Sequence, residues 1–226
     1  MKENVVNKTK ISLILNYIIF IMVVFATIIM FIGIKISFVK EPVLETSGLS
    51  VLKFFTVDSN ILVGISAILL AYKERKLLTG KIKDIPVGYY VMKFIGTVSV
   101  SLTFIVVFLY LGRIATGGLI SLLQNSNLFF HLIVPVLSIL SFVLFEKTNK
   151  IKFGYVMFCL IPVLLYGIYY IVNILIHLEN NQVLPKYDWY FFVQKGINNA
   201  YIIAPIIFVL TFIIGSILWI LNKKEK

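Results

Sequence analysis

Residues 53–60 read KFFTVDSN and set Thr56, Asp58, Ser59 and Asn60 at the mouth of an apolar run. Positions i, i+3 and i+4 of a helix stack, so Thr56, Ser59 and Asn60 share one face and Asp58 points away from it. A second polar group lies in NLFFHLIVPVLSILSFVLFE, where Pro135 follows His131 one turn later on the same face. Both segments are expected to cross the membrane in the same direction, with Thr56 and His131 at similar depth. A threonine hydroxyl is a weak nucleophile, but a nearby imidazole can take its proton as general base and return it to the leaving group. Asn60 or Ser59 could then donate to the developing oxyanion. The same residue types also form ordinary interhelical hydrogen bonds, which contribute about 0.6 kcal/mol each. On the residues alone both readings stand.

Asp58 has three readings of its own. It can favour the start of the helix, where a negative charge meets the helix dipole. It can be satisfied by Lys53 or water at the mouth, or it can be a buried functional carboxylate, because an ionisable group inside a span is costly. In the third apolar segment GTVSVSLTF supplies Thr97, Ser99, Ser101 and Thr103, small hydroxyl residues that let helices approach closely, and Lys93 in the same segment is expected to snorkel. On the fifth, Tyr166, Tyr169 and Tyr170 can line a pocket with polar tips, and His177 is expected at the interface.

The elements that must position these groups follow from composition. Of 226 residues, 60% are hydrophobic and 14% charged, and the mean hydropathy is +0.99. A spanning helix needs about 20 apolar residues. Six segments qualify, at about 11–36, 51–72, 86–111, 127–145, 153–177 and 199–221. The chain is therefore expected to be an all-α polytopic membrane protein, a single six-helix transmembrane domain. The first segment is too long for the apolar core of a signal peptide and is expected to remain as a helix. Four basic groups then fall on one side: Lys2, Lys8 and Lys10; Lys73, Arg75, Lys76, Lys81 and Lys83; Lys147, Lys150 and Lys152; and Lys223, Lys224 and Lys226. The positive-inside rule makes that side, and both termini, cytoplasmic. Lys35, Lys40, Lys53, Arg113, Lys186 and Lys195 are left for the opposite side.

The net charge of +11 is thus a topology signal. A nucleic-acid surface would need interleaved basic and aromatic residues, for which the short loops leave little room. Cys159 is the single cysteine, so no internal disulfide can form, and it reads as a small core residue. No paired-histidine helix fixes two metal ligands and no Walker or dinucleotide glycine pattern is present, so no metal or cofactor is expected. Pro135, Pro162 and Pro205 each remove a backbone donor and are candidate kinks. The connection 178–198 carries Tyr187, Trp189, Tyr190, Phe191 and Phe192, which suit an interfacial aromatic belt or a lid over an outward-facing site.

FFTVDSNILVG, FFHLIVPVLSILSFVLFE, and IPVLLYGIYYIVNILI followed by LPKYDWYFF together resemble the bacterial integral membrane proteins of the Pr6Pr type. Those are similar in turn to the androgen-induced and androgen-dependent TFPI-regulating membrane proteins. The resemblance covers roughly residues 50–192. It implies an intramembrane threonine hydrolase acting on fatty acid esters of hydroxy fatty acids, with Thr56 as nucleophile, His131 as base and Asn60 at the oxyanion. It matches the family's lysine, hydrophobic pair and threonine at Lys53, Phe54, Phe55 and Thr56, and its histidine–proline pair at His131 and Pro135 with an offset of one residue. An aspartate common in the Pr6Pr pattern is replaced here by Ser141. Asp58, Ser59, Pro135, Tyr166 and Tyr170 would contact a long-chain lipid ester entering from membrane lipids, in a bacterial cell membrane. The alternative is a non-enzymatic protein that binds or transports a lipid or small molecule through the same pocket. Transporter-type inverted repeats are not evident.

Overall fold

The computed structural model describes residues 3–34, 46–193 and 196–223. Lys2, Lys35, Lys40, Pro42, Lys195, Lys224 and Lys226, and the end of the first expected span, lie outside the described residues. Six helices are long and apolar enough to cross a membrane, and no strand occurs among the described residues. We label them α1 (Glu3–Ile32), α2 (Phe55–Leu78), α3 (Val87–Ile114), α4 (Ser126–Phe145), α5 (Phe153–Ile176) and α6 (Ile197–Asn222).

The helices exceed the apolar runs mainly at the polar ends. α1 begins at Glu3 rather than near residue 11, and α2 continues through Lys73, Glu74, Arg75 and Lys76 to Leu78. Lys, Glu and Arg are good helix formers, so the backbone stays helical after the apolar stretch has ended. At its other end α2 starts at Phe55, and residues Gly48–Lys53 form a separate 3₁₀ turn.

α2 and α3 form the interior of the bundle, while α1, α5 and α6 present much of their surface outward. Gly96 makes the central contact possible. A methyl group there would meet the Val63 Cα at 2.8 Å, so α3 and α2 touch backbone to backbone. Gly64 makes room for an α1 side chain, since an added Cβ would lie 3.0 Å from the Val23 side chain. Close approach through small residues is the usual substitute, within lipid, for a hydrophobic driving force between helices.

The proline expectations separate. Pro135 follows a π-helical turn at Phe129–Ile133, so the helix widens where its donor is missing. Pro162 sits where the 3₁₀ stretch Phe153–Cys159 becomes α-helix at Leu160, near an end that tolerates the loss. Pro205 lies inside α6. Further π turns occur at Val107–Leu111 and Ser141–Phe145.

At the end of the bundle where the described termini lie, Asn222 pins α6 to α4. Its Nδ2 donates to the carbonyls of Phe142 (2.7 Å) and Glu146 (3.1 Å). The Trp219 indole donates to the Ile151 carbonyl at 2.8 Å.

Candidate functional site

At the opposite end, which carries the connections 115–125 and 178–193, a cavity of about 110 Å³ lies between α3, α5 and α6. Its walls are almost wholly apolar, from Leu102 and Val106 on α3 to Ile203 and Phe208 on α6. Thr56, Thr103, Tyr166, Tyr170 and Tyr190 bring the polar atoms. A mostly apolar cavity with a few polar groups is the usual lining of a small-molecule or lipid site.

The connection 178–193 closes this end. Trp189 and Tyr190 are buried and pack with Phe54, Val57 and Tyr170 rather than lying in a belt at the interface. Asp188 holds the turn. It accepts hydrogen bonds from the Tyr170 hydroxyl, the Phe192 N–H (2.9 Å) and the Val193 N–H (3.0 Å). Burial still raises its carboxyl above the usual range, against the opposing effect of those donors. The Trp189 indole donates to the Tyr166 hydroxyl at 3.0 Å, and Tyr166 donates to the Lys53 carbonyl at 2.7 Å. Asn173 donates to the Tyr187 carbonyl, and His177 stacks on Tyr187 with ring centroids 3.5 Å apart. The aromatic segment is a lid tied to α5.

Thr56 is buried and lines the cavity. Its N–H donates to the Tyr190 hydroxyl at 3.4 Å, and its side chain hydrogen-bonds the same phenol. Burial pushes Tyr190 up to about 12, so it is a neutral phenol at physiological pH. The Thr56 carbonyl accepts from Ser59 Oγ (3.1 Å) and Asn60 Nδ2 (2.7 Å), and Ser59 also shares a 3.1 Å bond with Thr103. The predicted face of Thr56, Ser59 and Asn60 therefore exists and turns inward.

Asn60 joins the two segments the sequence singled out. Its Nδ2 also donates to the Phe130 carbonyl at 3.1 Å, so α2 and α4 are in contact beside His131. Both amide protons are committed to carbonyls, which leaves none free for an oxyanion in this arrangement. Its Oδ1 is buried without a hydrogen-bond partner. His131 is fully buried, with Nδ1 2.6 Å from the Leu122 carbonyl. A carbonyl can only accept, so the proton sits on Nδ1 and the Nε2 lone pair is bare. Nε2 has no hydrogen-bond partner. No hydrogen bond joins His131 to Thr56, and His131 does not line the cavity. Pro135 is buried in α4, likewise away from the cavity lining.

Asp58 faces elsewhere, as its helical angle predicts. It lines an open groove between α2 and α5 with Ser59, Pro162 and Tyr169, while Tyr166 and Phe55 separate that groove from the cavity. No side chain caps α2, although Asp58 does occupy its first turn. Lys53 lies over the rings of Phe54 (5.1 Å) and Trp189 (5.4 Å), and burial lowers its pKa. The expected Lys53–Asp58 pairing is not among the ion pairs of the described residues.

The sequence reading missed a second cluster, at the end where the termini lie. Ser12 and Asn16 on α1, Glu74 on α2, Lys93 on α3, and Ser141 and Glu146 at the end of α4 are all buried. Lys93 is fully enclosed and does not snorkel. Its ammonium lies 3.4 Å from Glu146 Oε1 and donates to Asn16 Oδ1. No family model, curated protein or solved structure matches this chain.

Proposed function

We propose that this multi-pass membrane protein binds a lipid acyl chain in the cavity between α3, α5 and α6, with the chain's polar end against Thr56 and Tyr190. The carrying observation is the cavity itself, almost wholly apolar, with its polar atoms supplied by Thr56, Thr103, Tyr166, Tyr170 and Tyr190. The positive-inside bias supports cytoplasmic termini, which would place the lid and cavity at the outer leaflet of a bacterial cell membrane. Gly167 lines the cavity and has nothing within 4 Å of an added Cβ. Gly167→Phe should therefore fill the space without disturbing the bundle. Purified wild type is expected to retain about one lipid per chain by native mass spectrometry, and G167F to lose it while melting no lower. Equal retention by both proteins would rule out this site.

Hydrolysis of a long-chain ester is the second reading, supported by the resemblance and by one observation, the His131 tautomer. A bare Nε2 is the form a general base needs. In the reaction, Thr56 Oγ would attack the ester carbonyl as Nε2 takes its proton. The same proton would then leave with the alcohol, and water would release the acyl group from Thr56. The hydroxyl would have to exchange Tyr190 for His131, at about 2.6–3.2 Å. Covalent labelling by a long-chain fluorophosphonate in nanodiscs, read by intact mass, tests this. One adduct on wild type and none on folded T56A or H131A supports hydrolysis, while an unlabelled wild type leaves binding alone.

A further inference from the structure

The lipid site uses none of the charges buried at the other end. Glu74, Lys93 and Glu146 are 3%, 0% and 3% exposed, so two carboxylates and one ammonium share a closed space between four helices. Glu146 Oε1 faces Lys93 at 3.4 Å and accepts from Ser141 at 2.6 Å. Glu74 accepts from neutral donors, Ser12 Oγ at 2.5 Å and Asn16 Nδ2 at 3.4 Å. Asn16 Nδ2 also lies 3.1 Å from Glu146 Oε1, so one amide nitrogen touches both carboxylates. Glu146 Oε2 is buried with no hydrogen-bond partner.

With all three groups ionised the space would hold one uncompensated negative charge. Two carboxylates sharing a low-dielectric site do not both ionise cheaply, and an unpaired buried charge is strongly destabilising. Either a cation or a proton must balance it. A hard cation wants about six or more oxygens, whereas Ser12, Asn16, Ser141 and Lys93 already turn donors toward the carboxylates and the ammonium repels a second cation. A proton fits better. Held within the pair, it leaves a single carboxylate charge for Lys93 to balance.

We propose that Glu74 and Glu146 share one exchangeable proton and that this end of the bundle is a protonation site linking α1, α2, α3 and α4. The inference stands apart from the lipid-binding reading. Other groups facing the pair among the described residues are few. α1 contributes only neutral Ser12 and Asn16, α3 adds the Tyr90 phenol within electrostatic reach of both carboxylates, and α6 offers the Asn222 amide to the Glu146 carbonyl. Asp84, before α3, also acts on Tyr90.

Infrared difference spectroscopy of the full chain in nanodiscs tests the proposal directly. At neutral pH the wild type should show a protonated-carboxyl C=O band that disappears on raising the pH. Folded E74Q and E146Q should each lose the band, because one carboxylate then faces one ammonium. Carboxyl carbon-13 labelling of glutamate must shift the band, which separates it from Asp58 and Asp188 even if a variant fails to fold. A wild type with no protonated-glutamate band at neutral pH, or a band persisting in both folded glutamine variants, overturns the proposal.

Discussion

The two ends of the bundle bury polar groups in opposite ways. At the lid end the polar atoms are hydroxyls, amides and phenols, and the Asp188 carboxylate there is held by the lid's own N–H groups and one tyrosine. At the termini end two glutamates and a lysine come from three helices and are bridged by an amide from a fourth. Neutral groups cost less to rearrange than ionic ones, so the lid end should be the easier of the two to open. Ionic groups inside a membrane are costly once separated, so the termini end is either a fixed clamp or a switch operated by a change of charge.

The sharpest way to break this contrast is to remove the ammonium. Lys93→Met leaves the proton-sharing glutamate pair with a negative charge and no cation, and is expected to destabilise by about 3–5 kcal/mol, the usual cost of removing one partner from a buried pair. A denaturant titration in micelles measures it. K93M combined with E146Q should lose less than the two single changes summed, since each single variant already removes the Lys93–Glu146 contact and the double variant removes it only once. If K93M melts like wild type, the termini end is not held by charge.

A smaller effect is expected from Asp188→Ala. That change strips an acceptor from Tyr170, Phe192 and Val193, and a buried donor left unsatisfied costs about 1–3 kcal/mol. The loss should be local. Hydrogen exchange ought to quicken in residues 184–193 while α2 and α3 keep their protection, and bound lipid should decline with it. Uniform exchange across the bundle would mean that the lid is part of the core and does not open on its own.

This contrast also explains what was legible in the sequence. Apolar length located all six helices because the bilayer fixes the length a span needs. Helical angle placed Thr56, Ser59 and Asn60 inward and Asp58 apart because that depends on one helix alone. Which atoms meet between helices depends on crossings the sequence does not spell out. Similar depth is expected for Thr56 and His131 from their places in their spans, yet Thr56 turns to Tyr190, a residue from a connection more than a hundred positions away. Lys93 looked like a snorkelling residue because its carboxylate partners lie on other helices. Glu74 stands within YKERK and Glu146 within FEKTNK, where neighbouring lysines mark the membrane edge and hide an acid that faces inward. A useful signal was available. Each is an acid beside the last apolar turn of a span, close enough to the apolar stretch to turn into the bundle, where an ionisable group needs a partner.

The smallest expected change in stability carries the most weight for function. Thr56→Val keeps the shape of the side chain and removes only its hydroxyl, whose partner is the neutral Tyr190 phenol. Such a hydrogen bond inside a membrane contributes about 0.6 kcal/mol, so melting should scarcely move. If the cavity only binds lipid, T56V should retain its lipid almost as well as wild type, because the apolar walls hold the chain and Tyr190 still offers a hydroxyl to the polar end. If Thr56 is a nucleophile, the same variant loses fluorophosphonate labelling completely while lipid retention persists. On the proposed reading binding would reside in the walls and any chemistry in a single oxygen, and T56V separates the two because the bundle loses so little when that oxygen is removed.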